Sequence, residues 1–278
     1  MVTTTTDLKS LVEAVAGERA QVTSLVPPAM DAEDYQARPQ DLARLKDARM
    51  IVRVGLDYDL WLDRLLGQAN NPALQRGKAG YVDASFAVAL LELRGTAVGD
   101  QGGHAHGSGN PHYWLDPANA EIITGTVLES LIRLDPANAG YYEARRITFL
   151  DKLGAKLREW QATLANAQGK PILAYHNSWA YFARRFRLNI AGTIEQKAGV
   201  PPSPAHLGEL LRTMREKEIR LIVKQPFEPD KYPDFLAVKA GGRIVVLAAS
   251  VGAIPEVADY FALFDFNVEA LSRALKQR

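Results

Sequence analysis

Cysteine is absent from the chain. Disulfides, thiolate metal sites and cysteine nucleophiles are thereby excluded. The compartment is left open, because oxidising and reducing spaces both tolerate a cysteine-free chain. Long apolar runs are also missing: the longest stretches, such as Ile244 to Ala249, are strand-sized and cannot span a bilayer. A charge excess of either sign is lacking too. The formal net charge is +1, which gives no electrostatic case for nucleic acid or a membrane surface. The sequence contains no GxSxG nucleophile elbow, no Walker A loop, no GxGxxG after its first strand and no HExxH. The opening Met1-Val2-Thr3-Thr4-Thr5-Thr6 has no basic and apolar targeting region. It reads either as a cytosolic chain or as one from which a signal peptide has been removed.

What is present is ordinary for a globular protein. Of 278 residues, 47% are hydrophobic and 23% charged, enough for one large or two medium domains. The β-branched run Val2 to Thr6 reads as a buried first strand. Asp7 is expected to cap a helix with an apolar face of Leu8, Leu11, Val12 and Val15, ended by Gly17. Further strands are expected at Val22 to Val26, Met50 to Val54 and Tyr81 to Asp83, with helices at Pro39 to Ala48 and Leu60 to Leu66. Asp116-Pro117 reads as N-cap and first residue of a helix running to Leu134. From Ala137 to about Asn166, apolar residues keep near-helical spacing with one glycine and no proline. A helix of some 30 residues is ~45 Å long, enough to join two halves.

After Gly169-Lys170-Pro171 the alternation restarts. Strands are expected at Ile172 to Tyr175, within Leu188 to Ile194, at Leu221 to Val223 and at Ile244 to Leu247. Helices are expected at Ser178 to Phe186, Pro204 to Lys217, Tyr232 to Ala240 and Tyr260 to Lys276. Strand-helix alternation at this spacing means parallel sheets with crossover helices. The fold expected is therefore α/β: two parallel-sheet lobes joined by one long α-helix, with residues 1–135 as the N-terminal lobe, 136–167 as the connecting helix and 168–278 as the C-terminal lobe.

Ligands of open α/β sheets lie beyond the carboxyl ends of the strands. Three candidates fall there: Asp31-Ala32-Glu33-Asp34-Tyr35, His112 and Tyr175-His176-Asn177-Ser178. The chain has five histidines, and three of them, His104, His106 and His112, fall within nine positions. Glycine and proline around His112 hold it on a loop rim just ahead of a helix. A carboxylate and His112 from one half, with His176 from the other, would meet in a cleft, and two imidazoles with a carboxylate suit zinc or a similar divalent ion. Each residue also has a plainer reading. The run around Glu33 is equally a solvated loop, and His176 equally a helix cap or a core hydrogen-bonder. His104 and His106 sit in a glycine-rich loop, and His206 reads as surface. Glu195 is a cleft-lining residue or a partner of a nearby lysine; Gln225 is a weak candidate ligand or a backbone hydrogen-bonder.

Taken in order, several stretches resemble the metal-specific substrate-binding proteins of ABC transporters, cluster A-I, and the zinc type more than the manganese type. They are Thr23-Ser24-Leu25-Val26-Pro27-Pro28, Asn110-Pro111-His112-Tyr113-Trp114-Leu115-Asp116-Pro117, Leu134-Asp135-Pro136-Ala137-Asn138-Ala139, Tyr175-His176-Asn177-Ser178-Trp179-Ala180-Tyr181-Phe182 and Gly192-Thr193-Ile194-Glu195. The resemblance covers nearly the whole chain. It implies two lobes on one stiff helix with the metal in the interlobe cleft. It implies a monomer that captures a divalent transition metal, Zn2+ or alternatively Mn2+, as cargo for an ABC transporter permease, without catalysis and without nucleic acid. It also implies a periplasmic location or an extracellular one with a membrane anchor.

Carried over residue by residue, the family's second and third histidines match His112 and His176. The first, which follows a proline in Pro-His-Asp-Tyr, is replaced here by Glu33 in Ala32-Glu33-Asp34-Tyr35. A late carboxylate of the family falls on Ala249. The expected metal ligands are thus Glu33, His112 and His176, with water, Glu195 or Gln225 completing the shell. Two other functions fit the residues: a metal-dependent hydrolase on an α/β scaffold, and a family member with weakened metal binding.

Overall fold

The computed structural model describes residues 1–91 and 109–276. His104 and His106 lie outside the described residues. Contacts divide the chain into two compact units. The first holds Met1–Ala89, Ala118–Lys156 and Ser250–Tyr260; the second holds Leu90–Pro117, Leu157–Ala249 and Phe261–Arg278.

The sheet of the first unit has the order β2-β1-β3-β4, from β1 (Val2–Thr3), β2 (Thr23–Ser24), β3 (Ile51–Arg53) and β4 (Tyr81–Asp83), with every pairing parallel. Its strands are shorter than the β-branched runs suggest, and local hydrogen bonding is the reason. The Thr3 hydroxyl donates to the Thr5 carbonyl at 2.8 Å, and the Thr5 hydroxyl accepts from the Leu8 N–H at 3.4 Å. The chain therefore turns at once into α1 (Thr6–Ala16), with Thr5 rather than Asp7 as its N-cap. Gly17 ends α1 at φ +52, packed so closely against Tyr141 and Arg145 that a Cβ has no room. Arg145 in turn donates to the Ala14 carbonyl at 3.1 Å, satisfying a helix-end acceptor. The helices α2 (Pro39–Lys46) and α3 (Trp61–Ala69) cover the sheet. Val2, Leu25, Leu45, Ile51, Leu62, Leu66 and Leu74 form one buried cluster with them. Also in this unit are α4 (Asn119–Leu134) and α5 (Ala139–Thr163) as far as Lys156.

The second unit repeats the plan. Its sheet has the order β6-β5-β7-β8, from β5 (Pro171–Ala174), β6 (Asn189–Thr193), β7 (Leu221–Lys224) and β8 (Arg243–Val246), again all parallel. The helices α6 (Ala180–Phe186), α7 (Pro204–Glu216), α8 (Lys231–Ala240) and α9 (Tyr260–Lys276) connect or follow these strands. Leu173, Ile194, Leu210, Met214, Ile222 and Leu236 form its core. Within α9, Asn267 bonds both the N–H and the carbonyl of Ala248, at 2.8 and 2.7 Å, and Asp265 accepts from the Trp160 indole at 2.8 Å. These bonds tie the helix to the chain after β8 and to the last turns of α5.

Two expected helix caps are corrected, and one helix is shorter than expected. The expected division runs 1–135, 136–167 and 168–278, while contacts group residues 90–117 with the second unit and 250–260 with the first. Asp7 is not a cap. It is fully buried and accepts from the Val251 N–H at 3.0 Å, which fixes the returning segment 250–260. Asp116 is not the cap of α4, whose N-cap is Ala118; its carboxylate is buried against Arg185. The long helix is real but shorter than expected, 25 residues, with a 3₁₀ turn on either side. Among the described residues, no helix is long and apolar enough to cross a membrane.

Burial pushes the Asp7 carboxyl up from its usual 3.8 to about 7, against hydrogen bonds from the Val251 backbone and the Ser250 side chain that act the other way. Between pH 4 and 7 the folded chain keeps a proton that the unfolded chain has shed. The contribution of this group to stability is therefore full at low pH and lost as pH rises toward 7. Asp7→Asn keeps an acceptor for Val251 and carries no charge. Its melting temperature relative to the parent should rise by about 2–4 °C between pH 5 and pH 8 in calorimetric scans. A pH-independent difference would show that the carboxylate is not strained.

Candidate metal centre

The carboxyl ends of β5, β6, β7 and β8 carry the chemistry of the second unit. His176 follows β5 by two residues, Glu195 follows β6 by two, and Gln225 follows β7 directly. His112 reaches the same place through a chain of hydrogen bonds. Asn110 donates from its side chain to the Asn177 carbonyl at 2.9 Å and from its backbone to the Leu91 carbonyl at 2.9 Å. The Tyr181 hydroxyl donates to the Asn110 carbonyl at 3.0 Å and accepts from the Leu91 N–H at 3.0 Å. The Trp114 indole donates to the Ala249 carbonyl at 2.8 Å, and Arg185 grips Asp116 through two contacts at 2.6 and 3.0 Å. This network draws residues 109–117 onto β5 and α6. It explains why His112 belongs to the second unit, where the sequence reading had assigned it to the first lobe.

His112 and His176 are both 3% exposed, with ring centroids 5.5 Å apart and planes inclined at 65°. One ring nitrogen from each lies within 4.8 Å of the other. Two nitrogens on one tetrahedral zinc at about 2.0–2.1 Å stand roughly 3.3 Å apart. The pair therefore needs at most about 1.5 Å of approach to share an ion. On each ring Nδ1 faces an acceptor. His176 Nδ1 is 2.7 Å from Glu195 Oε2, and His112 Nδ1 is 3.1 Å from Asn110 Oδ1. Both partners are acceptors, so each Nδ1 carries a proton, and in the neutral ring the lone pair is on Nε2. An acceptor behind a histidine is the usual way of fixing a metal-binding tautomer.

Glu195 thus sits behind the ring of His176, and its second oxygen accepts from the Gly199 N–H at 2.7 Å. The amide nitrogen of Gln225 is spent on Ser178 Oγ at 3.1 Å and Glu228 Oε1 at 3.3 Å. Glu228 is a residue the sequence reading missed. It is 6% exposed and accepts from the Gln225 N–H at 2.6 Å. Burial pushes its carboxyl up to about 7; the Gln225 hydrogen bonds and the His176 charge pull the other way, and the Glu195 charge adds to the rise. Only its spacing from Gln225 past a strand end could have flagged it. Asn110 was within reach of sequence reasoning, since it stands two residues before His112 in the quoted motif. His206 is half-buried rather than on the surface, its Nε2 at 2.8 Å from the Thr193 carbonyl.

Glu33 belongs to the first unit and is half-buried on the loop after β2. Its N–H donates to Asp31 Oδ1 at 2.9 Å. The loop is pinned on both sides: the Ala32 carbonyl accepts from the Trp61 indole at 2.8 Å, and the Tyr35 hydroxyl donates to Asp41 at 2.7 Å. Burial, followed by the negative charges of Asp31, Glu33 and Asp7, pushes the Tyr58 hydroxyl well above its usual value. The loop is therefore a concentration of negative charge held in a fixed place.

The family model for the periplasmic zinc-uptake complex component A, ZnuA, matches residues 1–274. The chain belongs to this family. Its members are substrate-binding proteins of transport systems and not enzymes, so the hydrolase reading is set aside. Among relatives, a putative metal-binding protein of Treponema pallidum (strain Nichols) is 24% identical over 284 residues, covering 100% of this chain and 87% of the relative. The high-affinity zinc uptake protein ZnuA of Bacillus subtilis (strain 168) is 24% identical over 289 residues, covering 99% and 87%. The manganese ABC transporter lipoprotein PsaA of Streptococcus pneumoniae is 24% identical over 288 residues, covering 100% and 89%. The fold is that of a ZnuA crystal structure, at TM-score 0.82 and 24% identity over 98% of this chain and 97% of the other. An Mn-bound periplasmic metal-binding protein from Candidatus Liberibacter asiaticus gives TM-score 0.82 at 18% identity, covering 99% and 98%.

The Arg185–Asp116 pair should matter for stability before it matters for metal. Asp116 is fully buried, and Arg185 is its two-point partner. Arg185→Ala should cost about 1.5–3 kcal/mol in urea unfolding of the metal-free chain, and Arg185→Lys should recover only part of it. A loss below about 0.5 kcal/mol would mean that the pair does not hold the His112 segment.

Proposed function

We propose that this chain captures a divalent transition metal outside the cytoplasm, zinc first and manganese as the alternative, and hands it as a monomer to an ABC transporter permease. Glu33, His112 and His176 are its ligands in this reading, and water completes the shell. The observation that carries it is the pair of buried imidazoles, close together and each with its Nδ1 facing an acceptor. Imidazole nitrogen with one carboxylate suits zinc; the carboxylate also lets in the harder manganese ion. Glu33 fits as the carboxylate because it stands where the family's first histidine does and lies on a pinned, negatively charged loop. Both oxygens of Glu195 accept hydrogen bonds, from His176 and Gly199, and the amide nitrogen of Gln225 is spent on Ser178 and Glu228, so water is the simpler fourth ligand. At the late-carboxylate position Ala249 offers only its backbone, and its carbonyl receives Trp114. Export and delivery follow from the family and from the periplasmic and lipoprotein relatives.

Titration calorimetry of the metal-stripped chain should show one tight zinc site per molecule. His112→Ala and His176→Ala should each abolish it, and Glu33→Ala should weaken it by at least tenfold. Competition with manganese should leave zinc preferred. Tight binding that survives both histidine changes would place the metal elsewhere.

A further inference from the structure

Glu195 does more than stand behind a ligand. Its carboxylate is a two-ended clamp: Oε2 receives His176 Nδ1–H at 2.7 Å, and Oε1 receives the Gly199 N–H at 2.7 Å. Its backbone is anchored as well, since the Glu195 N–H donates to the Tyr175 carbonyl at 2.8 Å, next to His176. The side chain is only 13% exposed, so water competes weakly for its oxygens. Beyond it, residues 197–200 close a tight turn. The Val200 N–H donates to the Lys197 carbonyl at 3.0 Å, the two residues form an isolated bridge, and Gly199 takes φ +69. Among the described hydrogen bonds of this turn, the one from Gly199 to Glu195 ties it to the site. Val200 at its end is 47% exposed, an apolar residue presented outward.

A cation on Nε2 withdraws electron density from the imidazole and makes Nδ1–H a stronger donor. The bond to Glu195 then shortens and strengthens. Because a carboxylate is a rigid fork, its other oxygen is set more firmly for Gly199, and chained hydrogen bonds of this kind reinforce one another. We infer that Glu195 is a positioning residue that fixes the Nε2-binding tautomer of His176 and passes the occupancy of that ring to the 197–200 turn. This rests on His176 being a metal ligand, as proposed above, but its first half holds with no metal at all.

The test uses the whole 15N-labelled chain of residues 1–278 at pH 8. Long-range imidazole correlations in the metal-free state should show His176 as the Nδ1–H form in the parent and as a mixture of tautomers in Glu195→Ala. Glu195→Gln can still accept from Nδ1–H but then turns its NH2 toward the Gly199 N–H. It should keep the tautomer and lose the second effect. That effect is slower amide exchange at Gly199 on addition of zinc, present in the parent and absent in both variants. Zinc affinity should fall about 10–100-fold in Glu195→Ala. An unchanged tautomer in Glu195→Ala overturns the positioning role. A correct tautomer with Gly199 exchange indifferent to bound zinc overturns the relay. If the parent binds no zinc, the metal assignment fails while the tautomer result still decides the positioning role.

Discussion

An imidazole offers a lone pair to a metal on one nitrogen only if the proton is kept on the other, and in a buried site that proton needs an acceptor. Asn110 and Glu195 meet this constraint for His112 and His176. Much of the second unit can be understood as the means of delivering those two acceptors. Glu195 arrives because β6 pairs with β5, so that the residues just past the two strands lie side by side. Asn110 arrives by a different route, through Asn177, Leu91 and Tyr181. One acceptor is thus placed by sheet register and the other by a loop stitched onto the sheet.

The carboxyl ends of parallel strands suit this task because they are where successive chain segments converge with unfinished backbone valences. Here four strands end together, and the residues after them carry His176, Glu195, Gln225 and the Ala249 carbonyl. Glu228 closes the polar set by accepting twice from Gln225, at the cost of a buried carboxyl shifted toward neutral pH. Gln225 is thereby held on Ser178, one residue from Asn177 and so close to the Asn110 bond. Such a network leaves the imidazoles little freedom to rotate. A transport site needs that rigidity in its donors and gains nothing from an activated water.

Much of the fold was legible in the sequence. The alternation of apolar runs gave every strand and helix named above, with β4 and α9 placed to the residue. Family-like stretches singled out His112 and His176. What local pattern could not show was which distant group would claim a polar residue. Asp7 and Asp116 both look like helix caps, since an aspartate ahead of a helix usually is one. Val251 and Arg185 claim them instead, and these partners lie 244 and 69 positions away. The place of Glu195 was hidden for the same reason, because nothing in Ile194-Glu195-Gln196 says that His176 and Gly199 flank its carboxylate. A boundary drawn along the chain also cannot anticipate segments such as 90–117 and 250–260, which contacts group with the unit on the other side of it.

In this reading one ion holds the two imidazoles together. X-ray absorption spectroscopy of the zinc-loaded chain tests it most directly, because the outer-shell scattering of a coordinated imidazole ring is distinctive. The expected spectrum has a low-coordinate nitrogen and oxygen shell with two imidazoles per zinc, falling to one in His112→Ala or His176→Ala forced to load at high metal concentration. Zinc bound tightly with a single imidazole, or with none, would contradict it.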